Sequence, residues 1–375
     1  MSIRFFFDRL FRRFETKLQP LNEITVNRSA LLHNYDSFLK LRSHQEIWPV
    51  LKSNAYGHGI APVVSALKSR RFSYYIADSY LEALEIWRTH RHPVLLIGSL
   101  HPANFSKIDF SHLAFTVQDP LTLQAISAQR RPAKIHLKIN TGMNRQGLEP
   151  SQLSDFLSLL QKYPHLALEG VFSHLADADN PADAYTPLQL RLFKKCLKQI
   201  NDFGFKPKYV HLAATYGASK ITDPDFNAVR LGLGLYGFGP LANLRPALTF
   251  TSSITKIGRL SARDYVGYNL TYQSSGSSNY AVLPIGYHEG LDRRLSNCGH
   301  VKFQNSFLPI IGRVCMNLSI ASLGDLSANL FDPVTVISPN PEDKNSLTNI
   351  AQICQTIPYD ILVHLHGSIH RQLVG

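Results

Sequence analysis

Cysteine is sparse, with only Cys196, Cys298, Cys315 and Cys354 in 375 residues. Their spacing matches neither a disulfide framework nor a zinc site, and few, scattered thiols suit a reducing cytoplasm. Long apolar runs are missing as well, so no segment reads as a bilayer-spanning helix. Charged residues make up only 18% of the chain, yet no polar tract of the kind that stays disordered replaces them. Acidic residues are outnumbered 27 to 39, a formal charge of +12. Such a surface serves an anionic partner (nucleic acid, membrane or phosphorylated ligand) or no specific partner. Apart from one N-terminal cluster the cations are spread along the chain, which favours the second reading and leaves no nucleic-acid footprint.

Apolar residues account for 44% of the chain, enough for a sizeable core. The length suits two domains, or one large barrel with an addition. Residues 1–20 stand apart as a basic amphipathic extension. Ile3, Phe7, Leu10 and Phe14 fall on one helical stripe, and Arg4, Asp8, Arg12 and Glu15 on another face. Asp8 and the arginines break any continuous apolar run, and no small-residue cleavage site follows, which argues against a secretory signal. Such a helix either lies on an anionic membrane through residues 1–17 or packs on its own protein or a second subunit.

Residues 21–240 alternate short apolar runs with longer amphipathic stretches, the pattern of repeated βα units. Eight runs read as strands: Trp48–Lys52, Tyr74–Ala77, Val94–Ile97, Leu113–Val117, Lys134–Ile139, Gly170–His174, Tyr209–Leu212 and Ala228–Leu233. Eight units in this span suit a (β/α)8 barrel. After a linker near Gly239–Pro246 the texture changes. Thr249–Ile257, Tyr280–Leu283, His300–Phe303, Phe307–Ile311, Leu318–Ala321 and Pro333–Ile337 read as strands, with helical pattern only near Ser346–Gln355. Residues 241–375 are thus expected to form a mostly β domain.

Catalytic groups of a parallel barrel lie where its strands end. Lys52 ends the first run, within Trp-Pro-Val-Leu-Lys-Ser-Asn-Ala-Tyr-Gly-His-Gly. Asn140 and Arg145 follow the fifth, His174 ends the sixth, His211 and Thr215 belong to the seventh and its end, and Arg230 lies in the eighth. A lysine at such a place either snorkels to the rim or, desolvated, offers a neutral amine that bonds to an aldehyde. The Tyr-Gly-His-Gly that follows favours the second, because glycines let the backbone and Tyr56 approach a ligand closely.

Together these segments resemble the motifs of the alanine racemases, barrel-type (fold-type III) pyridoxal-phosphate enzymes. Val50–Gly59 resembles the cofactor-lysine motif, Asn140–Arg145 a second motif and Val229–Gly237 a third. Val266–Tyr272 resembles the segment holding the catalytic tyrosine, and Pro284–Tyr287 and Gly312–Met316 are further matches. The six run in family order from about Asn22 to the end. The resemblance implies a (β/α)8 TIM barrel followed by a mostly β domain, with pyridoxal 5'-phosphate as cofactor. It further implies interconversion of L- and D-alanine, which supplies D-alanine for peptidoglycan precursors, and a homodimer with shared active sites.

It also implies roles. Lys52 would hold the cofactor and act as base on one face of the amino acid; Tyr268, reaching in from the second subunit, would be the base on the other. Racemisation removes a proton from one side of Cα and returns it to the other, which two opposed bases supply. A phenol, with a reference pKa of about 10, needs a cationic neighbour for this, and Arg230 and His211 match the family's arginine–histidine relay. Arg230 would face the pyridine nitrogen. A guanidinium does not readily give up its proton, so the ring stays a weak electron sink and transamination is disfavoured. Tyr56, Thr215 and the backbone amides of Gly232 and Leu233 would hold the phosphate. Arg145 and the Met316 amide would bind the substrate carboxylate or steer Tyr268, His174 would stack on the cofactor, and Tyr287 would line the substrate's approach. The lysine matching Lys138 is often carbamylated in the family and braces the arginine matching Arg145; a plain Lys138–carboxylate contact is the alternative.

Several positions depart from the pattern. Asn140 stands for the usual Asp, Asn317 for the Asp after Cys-Met, Thr215 for a serine, with Ala214 before it, and Asn269 for a glycine after Tyr268. His288-Glu289-Gly290 replaces Ala-Asp-Gly, and Val363–Arg371 replaces a serine-rich strand and an Arg-Val-Pro-Arg segment. Gly367 falls near a phosphate-binding tyrosine of the family. His364 and His366 would share one face of a strand, but with no carboxylate or cysteine motif beside them or His370 no metal is assigned. Other readings are a racemase of serine, lysine or arginine, and a catalytically altered pyridoxal-phosphate-binding homologue. A decarboxylase of this architecture would carry an acid where Arg230 stands, and the small cofactor carriers lack residues 241–375. Lys52 and Tyr268, both present, favour an active enzyme.

Overall fold

The computed structural model describes residues 19–375, so the stripe of Ile3, Phe7, Leu10 and Phe14 lies outside the described residues. The chain divides into two compact units. One comprises Asn27–Ala247 with the last three residues; the other comprises Leu248–Gln372 with the described residues before Asn27. The divisions at 26/27 and 247/248 differ from the sequence boundaries at 20/21 and 240/241. The reason is one short strand, β1 (Glu23–Asn27), whose alternating burial places Ile24 and Val26 in a core.

Eight parallel strands build the larger unit: β2 (Glu46–Pro49), β3 (Tyr75–Ala77), β4 (Val94–Leu96), β5 (Leu113–Val117), β6 (Ala133–Lys138), β7 (Leu166–Phe172), β8 (Tyr209–His211) and β9 (Ala228–Leu231). Each overlaps one of the eight apolar runs of the sequence, though β2 and β7 begin earlier than the runs Trp48–Lys52 and Gly170–His174 and end before them. β3 to β8 lie side by side in chain order, β2 pairs with β9, and the bridges Val50–Ile76 and Ala214–Arg230 join the two sets into a closed barrel. Residues of β3 and β4 are buried throughout, as expected of parallel strands covered on both faces. Local chemistry sets where the helices begin. Asn27 caps Arg28–Leu41 through the Ala30 amide, Ser79 and Glu82 form a capping box on Tyr80–Thr89, and Asp119 caps Pro120–Ser127.

One irregularity interrupts the barrel. Ile135 pairs with Leu168 and His136 with Gly170, so Glu169 is an extra residue in β7. Bulges of this kind are rare in parallel sheets and re-aim the side chain they carry.

The smaller unit is mostly antiparallel, as the sequence texture indicated. Its strands are β10 (Leu248–Ser253), β11 (Lys256–Leu260), β12 (Tyr265–Val266), β13 (Tyr272–Gln273), β14 (Ser278–Leu283), β15 (His300–Phe303), β16 (Ser306–Pro309), β17 (Ser319–Gly324), β18 (Pro333–Ile337) and β19 (His370–Val374). One sheet runs β16-β15-β18-β10-β1-β19, a second β11-β14-β17, and β12 and β13 form a hairpin. The single run read at Thr249–Ile257 is split between β10 and β11. The C-terminal segment corrects another expectation. His364 ends a helix, Pro358–Val363, and His366 lies in a turn, so the two do not share a strand face. Their ring nitrogens go to separate partners, His364 to the Asp360 carbonyl and His366 to the Ser368 hydroxyl.

Candidate active site

Lys52 stands at the mouth of the barrel, one residue past a strand end pinned by two backbone bonds. The Val50 amide donates to the Leu231 carbonyl and the Leu51 amide to the Ile76 carbonyl. The chain then turns left-handed for four residues without glycine. Ser53, Asn54, Ala55 and Tyr56 have φ of 54°, 52°, 54° and 51° before Gly57 continues at 78°. Each costs an L-residue about 1–2 kcal/mol, so the turn persists only because its surroundings hold it. Glu82 accepts from the Asn54 amide, and the Asn54 side chain accepts from the Ile60 amide. The turn carries Tyr56 toward β9, where a Cβ at Gly232 would lie 2.8 Å from the Tyr56 hydroxyl. A glycine there is what allows the backbone to approach. Gly232 immediately precedes the short helix Leu233–Tyr236, whose first N–H groups have no partners within the helix. Thr215, buried beside it, accepts from the Gly234 amide.

Arg230 is buried at the end of β9. Nη1 donates to His211 Nδ1 at 2.8 Å and to the His211 carbonyl; Nη2 faces the Ser173 and Leu212 carbonyls and His174 Nδ1 at 3.1 Å. Burial lowers the guanidinium to about 9, so it remains charged at neutral pH. His174 is held neutral, pushed down to about 3 by burial and then by Arg230, Arg145, Lys138 and Lys52. Four cations thus bear on one imidazole. Lys138, also buried, is lowered to about 8 by desolvation and by Arg230, Arg145 and Lys52. It donates at 2.7 Å to the neutral amide oxygen of Gln146, not to a carboxylate. Lys138, Asn140, Met143, Arg145 and His174 line one small cleft.

Asn140 shapes the loop that carries Arg145. Its side-chain oxygen accepts from the Gly142 and Asn144 amides, and its nitrogen donates to Glu149 at 2.7 Å. An aspartate would set two carboxylates against each other there. Asn317 repeats the arrangement in the smaller unit, donating at 2.8 Å to Glu289, whose other oxygen accepts from the Gly286 amide. Both departures from the family pattern therefore come with a glutamate partner.

In the smaller unit, Tyr268 opens a tight turn between β12 and β13 and is 68% exposed. Val266, buried against Leu260 and Ile311 with Tyr272 packed on them, anchors the hairpin. Gly267 at φ 73° and Asn269 at 62° form its sharp bend; asparagine tolerates this conformation better than most residues. Tyr287 and Met316 are also exposed. The Tyr287 amide bonds to the Cys315 carbonyl and the His288 amide to the Met316 carbonyl. Gly286 permits this, because a Cβ there would meet the Cys315 carbonyl oxygen at 2.2 Å.

Sequence reasoning overlooked His136 and Glu169, which lie behind His211, and Glu82, which braces the left-handed turn. A signal for His136 existed, since it lies two residues before Lys138 and hence on the same strand face.

The family model for the alanine racemase N-terminal domain matches residues 26–240, and that for the C-terminal domain matches 247–373. An alanine racemase from Leptospira interrogans is 30% identical over 371 residues, covering 94% of this chain and 95% of the relative. One from Carboxydothermus hydrogenoformans is 31% identical, covering 92% and 97%. Among solved structures, alanine racemase from Bacillus anthracis with bound L-Ala-P superposes with a TM-score of 0.89 at 28% identity, covering 96% of each chain.

Proposed function

The chain belongs to the alanine racemase family, and from that premise we propose that it interconverts L- and D-alanine using pyridoxal 5'-phosphate held by Lys52. The observation that carries this reading is the contact of Arg230 with His174 at 3.1 Å, with Lys138 and Arg145 lining the same cleft as that imidazole and Lys52 just past the end of the first barrel strand. Such a cluster of cations supports the binding of an anionic ligand, as a phosphate- and carboxylate-bearing one would be. A Cβ at Gly232 would crowd the Tyr56 hydroxyl at 2.8 Å, which supports a close approach of this backbone and Tyr56 where the phosphate would bind.

When bound, the cofactor supplies an electron sink that makes the Cα proton of alanine removable. Everything else falls to the chain. Tyr56, Thr215 and the amides of Gly232 and Leu233 bind the phosphate. Arg230, with both Nη groups engaged by His211, His174 and three carbonyls, would hold the cofactor's ring nitrogen and, as a guanidinium, would not readily give it a proton. His174 stays neutral and offers its ring face. Arg145 would bind the substrate carboxylate or steer Tyr268. Lys52 takes or returns the Cα proton on one face and Tyr268 does so on the other.

Tyr268 belongs to a second copy of the chain in this reading. Support comes from its own surface: Tyr265, Tyr268 and Leu270 are each more than half exposed, an apolar set that association would cover. The four cysteines are all free thiols, in keeping with a cytoplasmic enzyme. No helix among the described residues is long and apolar enough to cross a membrane. The test is loss of optical activity across an amino-acid panel that includes alanine, serine, lysine and arginine. Alanine is expected to turn over fastest, and a preference for another member would overturn the substrate assignment.

A further inference from the structure

Arg230 is buried, and no carboxylate forms a salt bridge with it among the described residues. A buried cation without a counter-charge is costly. The structure supplies one at a distance. His211 Nε2 lies 3.0 Å from His136 Nδ1, and His136 Nε2 lies 3.6 Å from the Glu169 carboxylate. The Tyr74 hydroxyl donates to the same Glu169 oxygen that faces His136, and Lys134 lies 3.0 Å from the other oxygen. Both imidazoles are completely buried. His136 Nε2 has no hydrogen-bond partner among the described residues, and the group it meets is Glu169.

Two features of β7 are built around this chain. Glu169 is the extra residue of the bulge, and the next position is glycine. A Cβ at Gly170 would stand 2.2 Å from His136 Nδ1, so any other residue there would displace the ring.

The protons follow from donor chemistry. A guanidinium only donates, so His211 Nδ1 must accept, and a neutral His211 carries its proton on Nε2. That proton points to His136 Nδ1, which must accept in turn, leaving the His136 proton on Nε2, aimed at Glu169. We propose that Glu169 is a positioning residue for Arg230, acting through His136 and His211 to fix both rings as Nε2–H tautomers. Its consequence for catalysis rests on the racemase reading; the proton arrangement does not. Arg230 sets this arrangement from one end and the acceptor at 169 from the other; without that acceptor the buried His136 Nε2–H is left unsatisfied, and the reversed pair, which costs Arg230 the His211 lone pair, becomes accessible.

The test is a long-range 1H–15N correlation spectrum of 15N-histidine-labelled holoenzyme without substrate, with signals assigned from His136→Gln and His211→Gln. Both rings are expected as neutral Nε2–H tautomers in the wild type and in Glu169→Gln, which keeps an acceptor oxygen. Glu169→Leu is expected to populate the reversed tautomers beside the wild-type ones and to lower kcat for alanine about 10-fold or more with little change in KM; Glu169→Gln retains most of the rate. An Nδ1–H or doubly protonated ring at either position in the wild type overturns the proposal, whether or not the leucine variant folds. Unchanged tautomers in Glu169→Leu overturn it as well. Wild-type tautomers as stated in a protein that does not racemise alanine would uphold the relay and overturn the function.

Discussion

Arg230 Nη1 lies 2.8 Å from His211 Nδ1, which makes His211 an acceptor and ties the orientation of the guanidinium to an imidazole that burial keeps neutral. Arg230 thereby stays charged and cannot readily lend a proton to a ring nitrogen set against it. Arg230→Glu replaces this donor with an acid that can share its proton. Racemisation is expected to slow by about 100-fold or more, and prolonged incubation with alanine should transfer the amino group to the cofactor, read as loss of its visible band. A variant that slows without this side reaction would show that Arg230 does not control the ring.

Sharing of sites between subunits is tested by mixing two inactive variants. Lys52→Ala and Tyr268→Phe chains, unfolded together and refolded, form mixed dimers as half of the population. If Tyr268 serves the other subunit, each mixed dimer has one intact site, and about a quarter of wild-type activity returns. If Lys52 and Tyr268 of one chain serve the same site, no mixture recovers activity.

Lys138 provides a pH test. Its amine is lowered from 10.5 to about 8 in the folded protein, so folding disfavours its protonated form. The penalty is fully present below about pH 8 and is relieved as pH rises toward 10.5, because there the unfolded chain binds the extra proton. In apoprotein free of carbon dioxide, Lys138→Met should therefore be more stable than wild type at pH 7 by about 2 kcal/mol, with the advantage fading between pH 8 and 10.5. A constant difference in melting temperature across this range would mean that Lys138 is not perturbed. A lowered pKa leaves more of the amine neutral, the form that attacks carbon dioxide and releases a proton to give a carbamate, so 13C-bicarbonate should give a carbamate carbonyl signal that Lys138→Met lacks.

The barrel was legible because its strands are covered on both faces and read as continuous apolar runs; β3 and β4 are the clearest cases. β1 was not, since a five-residue alternation says little until its partner, β10, is known. His364 and His366 misled for a related reason: two-residue spacing suits a strand, but Pro358 begins a helix that places His364 at its end. Lys52 and Arg230 were readable from strand ends and motif order. Glu169 was not, because a bulge changes which face a residue takes without leaving a mark in the sequence. Asn140 and Asn317 read as losses in the sequence; their glutamate partners, nine and 28 residues away, give each a donor's role.

The first measurement is the absorbance spectrum of protein purified with pyridoxal phosphate, before and after borohydride, for wild type and Lys52→Ala. A band near about 420 nm that borohydride abolishes, and that Lys52→Ala never shows, is the expected result of a cofactor bonded to the lysine. A wild-type protein that stays colourless with added cofactor, or a Lys52→Ala protein with the same borohydride-sensitive band, would contradict the assignment of Lys52.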